Sequence, residues 1–210
     1  MISLADPSNV ATLVTIEPEM EFECRLPHPI AENSDARVIP GRECGSCTLC
    51  CKVYNIPELG KPAGKWCDHC KPGKGCTIHT SLPNQCAAFN CMWRTEEALP
   101  AHWKPDQSKM VITIFSPNGF IYVQVDPGAP SAWRKQPYYG QLRRWAKNNL
   151  PKGICVVVFV NDVATVIMPD RDVPLGAMKP TDGISVRRNL ASGSAAYEVT
   201  VIPGGAGLPG

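Results

Sequence analysis

Nine of the chain's eleven cysteines fall between Cys44 and Cys91, in a sequence of 210 residues. Their order is Cys44-Gly-Ser-Cys47-Thr-Leu-Cys50-Cys51, then Cys67-Asp-His69-Cys70, then Cys76-Thr-Ile-His79, and finally Cys86 and Cys91. Two residues between thiolates let one turn wrap both sulfurs around an ion at about 2.3 Å, which is why this spacing recurs in structural zinc sites. It occurs three times here, at 44–47, 47–50 and 67–70. With His69 and His79 the window offers eleven donors, and one tetrahedral ion takes about four. A single ion would leave too many thiols unused. Two mononuclear sites with spare donors, or a thiolate-bridged cluster, both fit. The adjacent pair Cys50-Cys51 favours bridging or two neighbouring ions, because consecutive side chains rarely converge on one centre. The expected ligands are Cys44, Cys47, Cys50, Cys51, Cys67, Cys70, Cys76, Cys86 and Cys91, with His79 in support and His69 beside them.

Inert core thiols are the competing reading, and composition argues against it. Pro57, Gly60, Pro62, Gly64, Pro72, Gly73 and Gly75 keep the window in loops, and its few bulky aliphatic residues supply little core. Metal is the natural substitute. Five lysines outnumber Glu58 and Asp68 in the same window. They offset part of the thiolate charge and lower thiol pKa values. Outside the window, Cys155 lies in an apolar run and reads as a buried core thiol. Cys24 is unassigned.

The run Cys-x2-Cys-x2-Cys-Cys, a later Cys, Cys-x-Ile, a Pro three residues before another Cys, and Phe-x-Cys resembles the YkgJ-like cysteine-cluster family. That family is described as a zinc- or iron-chelating domain, with some members labelled Fe-S oxidoreductases. The matching residues are Cys44, Cys47, Cys50, Cys51, Cys67, Cys76, Ile78, Pro83, Cys86, Phe89 and Cys91. The resemblance spans about residues 44–93, a quarter of the chain, and rests on eight cysteines in order. His79 stands where the family has Tyr, Leu82 and Ala87 where it has Arg, and Cys70 is an addition. The resemblance implies metal binding and no defined reaction.

Charge and targeting bound the partners. The first twenty residues lack a basic start and an unbroken apolar core, so no secretory signal is read and a cytoplasmic address is expected. Thiols there stay reduced, which favours metal over disulfides. No apolar stretch approaches the ~18 residues of a membrane span. A net charge of +2 with a pI near 8.0 falls short of an electrostatic nucleic-acid footprint. The expected partners are metal ions and a protein surface, with neither membrane nor nucleic acid.

The elements around this window divide the chain into an N-terminal arm (1–40), the cysteine module (41–95), an α+β domain (106–203) and a tail (204–210). In the arm, Thr12–Ile16 suggests a short edge strand. A helix beginning at Cys47 would place Cys47, Cys50 and Cys51 on one face, with Cys44 closing from a loop turned at Gly45. From Met110 onward the apolar residues alternate. MVITIF and FIYVQV flank Ser-Pro-Asn-Gly as a hairpin, ICVVVFV and VATVIM flank Asn161-Asp162 as a second, and ISVRRNL and AYEVTVI suggest a third. Between the first two, Tyr138, Leu142, Trp145, Ala146 and Asn149 form the apolar stripe of one helix bounded by Pro137 and Pro151. The expected class is α+β: a loop-rich, metal-stapled module packed with a mostly antiparallel sheet and one main helix. The five tryptophans are read as packing groups.

The expected function is that of a metal-binding cysteine-cluster protein, zinc favoured at two or three ions, the metal serving structure or metal handling. The alternative is iron or an iron–sulfur cluster with an oxidoreductase or electron-transfer role. Against it, no dinucleotide fingerprint or other redox motif accompanies the cysteines. No catalytic residue is identified.

Overall fold

The computed structural model describes residues 21–25, 37–115, 120–179, 181–189 and 196–204. In chain order, the first half contains β1 (Glu21–Arg25), α1 (Cys50–Val53), β2 (Cys70–Lys71), β3 (Gly75–Cys76), α2 (Asn84–Ala87), α3 (Met92–Thr95) and α4 (Pro105–Ser108). All four helices here are single turns. The second half contains β4 (Met110–Phe115), β5 (Phe120–Val125), α5 (Tyr138–Asn149), β6 (Val156–Val160), β7 (Val163–Ile167), β8 (Asp172–Ala177), β9 (Gly183–Asn189) and β10 (Ala196–Ile202). The class is α+β, with α5 the one main helix and mostly antiparallel sheets.

Strands β4 to β8 form a five-stranded sheet in sequence order, and β1, β9 and β10 form a second sheet with β9 central. All three expected hairpins form antiparallel pairs. Asn161 takes a left-handed φ of 54° between β6 and β7, a conformation Asn tolerates better than most residues. The turns at 116–119 and 190–195, the Thr12–Ile16 strand and residues 205–210 of the tail lie outside the described residues.

The five-stranded sheet is covered on both faces, which explains why β6 reads Val-Val-Val-Phe-Val without alternation. One face carries Ile112, Val123, Val156 and Val158 against Leu142 and Ala146 of α5, with Trp103 and Trp133 closing the layer. The other carries Tyr122, Val157, Phe159 and Val166 against Ile184 and Val186 of β9. Cys155 is buried in this second layer, 1% exposed, as expected of a core thiol, but it lies one residue before β6 rather than within a strand.

Four features depart from the expectations above. Helix α5 is a crossover, so β5 and β6 pair in parallel within an otherwise antiparallel sheet. Strand β8 was not foreseen, because Pro174 and Gly176 break its pattern; it lies at the sheet edge, where both are tolerated. Part of the segment read as an arm is β1, which pairs with β9 with Cys24 opposite Ile184. Helix α1 starts at Cys50 rather than Cys47, because a turn closed by Cys47 N–H donating to the Cys44 carbonyl at 2.9 Å precedes it. Gly45, at φ +55°, makes that turn without strain.

The module docks on the edge of the large sheet. Leu49, Val53, Tyr54 and Cys91 pack on Val111 of β4. Lys52 Nζ lies 2.6 Å from Asp126 Oδ1 just past β5. The Arg42 guanidinium donates to the carbonyls of Trp93 and Glu96 at 2.7 Å and of Glu97 at 2.9 Å, tying the start of the module to its end. Among the tryptophans, Trp103 stacks on Trp145 with centroids 5.2 Å apart, as a packing group should. Trp66 differs: it is 39% exposed, with Lys52 Nζ 5.5 Å from its ring centroid.

Candidate metal centre

Eight of the nine clustered cysteines line one open cavity of about 720 Å³: Cys44, Cys47, Cys50, Cys51, Cys67, Cys76, Cys86 and Cys91. His79 also lines it, whereas Cys70 does not. Its apolar wall includes Ile56, Ile78, Phe89 and Val111. The short elements explain this convergence. Helix α1 supplies Cys50 and Cys51, the β2–β3 hairpin supplies Cys76, α2 supplies Cys86, and Cys91 immediately precedes α3. Backbone contacts lock these pieces together: Cys67 N–H donates to the Cys51 carbonyl at 3.1 Å, and Gln85 Nε2 donates to the Asn55 carbonyl at 2.8 Å.

Mutual electrostatics sort the thiols into two neighbourhoods. Cys44 and Cys47 both raise the pKa of Cys50 and of Cys91, which burial pushes up to about 11. Cys51, Cys67 and Cys76 act together on Cys86, again pushed up mainly by burial, to about 11. The groups 44/47/50/91 and 51/67/76/86 meet at the adjacent pair Cys50-Cys51. There the Cys50 thiol donates a hydrogen bond to Cys51 sulfur, which holds Cys51 down to about 6 and drives Cys50 well up. The Cys70 thiol also donates to Cys51; burial pushes Cys70 up to about 12, with Cys51 and Cys67 adding to it as they do at Cys86, so Cys70 adjoins the second group although it does not line the cavity.

Backbone amides are directed at the sulfurs of Cys47, Cys51 and Cys91. Those of Leu49 and Asp106 donate to Cys47, and those of Arg94 and Trp93 to Cys91, each favouring the thiolate against burial. Such N–H···S contacts stabilise a metal-bound sulfur. Lys61 is 7% exposed and donates through Nζ to the carbonyls of Lys52, at 2.8 Å, and Tyr54. Burial lowers its pKa, while the thiolates of Cys51, Cys67, Cys50 and Cys86 act in the opposite direction. It is a fixed cation beside the second group.

Two residues at the centre carry no signal in the sequence. Lys61 looks like one surface lysine among five, and Asp106 lies fifteen positions beyond Cys91 in a stretch without motif. Asp106 Oδ1 is buried with no hydrogen-bond partner among the described residues, and its carboxylate raises the pKa of Cys47. Of the histidines, His79 is exposed at the cavity mouth, and the His69 carbonyl accepts hydrogen bonds from Thr77 N–H and Oγ1 at 2.8 and 3.0 Å.

Among the described residues, no group of three or more His, Cys, Asp or Glu stands ready-made to hold an ion, and the cysteines are free thiols. The donor set nevertheless fits a thiophilic metal: eight sulfurs around one cavity, backbone amides directed at sulfur, a buried cation beside them and an unpartnered carboxylate oxygen acting on Cys47. Among the described residues, no helix is long and apolar enough to cross a membrane. The chain matches no family model, no curated protein and no solved structure.

Proposed function

We propose that the chain is a metal-binding cysteine-cluster protein holding two divalent ions, zinc in preference to iron, with the metal serving structure or metal handling. Cys44, Cys47, Cys50 and Cys91 hold one ion, and Cys51, Cys67, Cys76 and Cys86 the other. The observation that carries this reading is the set of eight thiols lining one cavity, twice the donor count of one closed site, with the adjacent Cys50 and Cys51 among them. Each group has the donor count of a closed structural site. Bound metal replaces the missing aliphatic core, since structural zinc contributes apparent free energies of about 10–16 kcal/mol.

Iron–sulfur ligation is the second reading, favoured by the amides directed at Cys47 and Cys91, because hydrogen bonds to sulfur tune such clusters. Elemental analysis and an absorption spectrum of anaerobically purified protein decide between them. Two equivalents of zinc and no visible band are expected; iron with matching sulfide would overturn the zinc reading.

A further inference from the structure

Cys70 is the ninth clustered thiol, and its place differs from the others. It lies outside the cavity lining, is only 9% exposed, and faces Cys76 across the β2–β3 hairpin. The hydrogen-bond pattern fixes the kind of pair. Thr77 N–H donates to the His69 carbonyl at 2.8 Å, one residue outside the Cys70–Cys76 register, while Cys70 N–H donates elsewhere, to the Cys67 carbonyl at 2.9 Å. Cys70 and Cys76 therefore form a non-hydrogen-bonded cross-strand pair. In that arrangement the Cα atoms approach to about 4.5 Å with both side chains on one face, inside the range of about 4.4–6.8 Å that a disulfide spans. The turn residues Lys71, Pro72, Gly73 and Lys74 are all exposed, and Cys76 is partly exposed at the cavity.

We propose that Cys70 and Cys76 are an oxidation site: a peroxide converts the facing pair to a disulfide and withdraws Cys76 from the second metal group. The inference rests on the two-ion reading above. The chemistry balances with hydrogen peroxide as oxidant. The Cys76 thiolate attacks one peroxide oxygen, the O–O bond breaks, hydroxide leaves and a sulfenic acid forms. Cys70 sulfur then attacks Cys76 sulfur, the S–O bond breaks, and the Cys70 proton leaves with the hydroxide as water. The two sulfurs are oxidised by two electrons in total and the peroxide is reduced. With Cys76 bridged, the second group keeps Cys51, Cys67 and Cys86, and its ion loses a ligand.

The test uses the full chain with its zinc content first measured by elemental analysis. It is treated with stoichiometric hydrogen peroxide, released zinc is followed with a chromogenic chelator, and non-reduced tryptic peptides are mapped by mass spectrometry. The expected result is a crosslink between the peptides 66–74 and 75–94, placed by fragmentation at Cys70 and Cys76, appearing together with release of one of the two ions. In Cys70→Ser, zinc content before oxidation is unchanged and release slows by about tenfold or more. Zinc-loaded protein that oxidises without this crosslink, or a C70S variant that releases zinc at the wild-type rate, overturns the switch while leaving the metal reading intact. Protein that is metal-free as purified but still forms the crosslink overturns the metal reading and upholds the pairing.

Discussion

Lys52 Nζ meets Asp126 Oδ1 at 2.6 Å, and that one contact joins the helix carrying Cys50 and Cys51 to the end of a central strand. Both side chains are largely buried, 17% and 15% exposed, and Asp126 Oδ1 also accepts the Gly128 N–H at 2.8 Å. Asp126→Asn removes the anion but keeps the shape. Chemical denaturation should show a loss of about 1.5–3 kcal/mol. The double variant with Lys52→Met should recover part of it, since it leaves no unpaired buried charge.

The Cys50 thiol donates to Cys51 and holds it down to about 6, so in metal-free protein Cys51 should ionise ahead of the buried Cys70, Cys86 and Cys91. A brief pulse of iodoacetamide at neutral pH should alkylate Cys51 ahead of Cys70, Cys86 and Cys91, whose burial holds them at about 11 to 12. Fragment-ion mapping of the peptide containing both Cys50 and Cys51 reads the order. Equal labelling of all four would show that the Cys50–Cys51 hydrogen bond does not form.

The stability of metal-free protein should fall on both sides of a window. Cys51, depressed in the fold, contributes stability that is full above its unfolded pKa near 9.0 and lost as pH falls through about 6. Cys70, Cys86 and Cys91 are raised in the fold. Their unfolded thiols release protons first, so stability declines as pH rises beyond about 9. Thermal melts across this range should trace the decline, and zinc loading should flatten it.

Lys61→Met should weaken metal binding without removing a ligand. The ammonium that faces Cys51, Cys67, Cys50 and Cys86 is lost, together with its bonds to the Lys52 and Tyr54 carbonyls. A loss of about 10–100-fold in affinity, the range for residues that support ligands from behind, is expected in a chelator competition titration. Retained affinity would show that the lysine serves only the backbone.

Much of the sheet domain was legible because its apolar residues keep one period for long enough to identify. Helix α5 shows its stripe over twelve residues, and the three hairpins alternate between turns. Strand β8 was hidden by Pro174 and Gly176, which read as turn residues until an edge position makes them harmless. The parallel β5–β6 neighbourhood was hidden for another reason: local pattern does not say which strand a crossover helix returns to. At the cysteine cavity the spacing named the thiols, but which of them converge depends on how several short segments meet. Lys61 and Asp106 were illegible because nothing in the local sequence says that this ammonium, or one oxygen of this carboxylate, is buried.

The docking of Leu49, Val53, Tyr54 and Cys91 on Val111 also sets an order in time. Twenty residues separate Cys91 from Val111 along the chain. At a synthesis rate of about 5–20 residues per second, the ninth clustered thiol leaves the ribosome roughly one to four seconds before the strand that covers it. During that interval the whole set of sulfurs is complete, uncovered and open to the surrounding metal pool. Under the two-ion reading proposed above, an ion captured then would be in place before the domain closes over it, so supply at the ribosome would help decide which metal is bound.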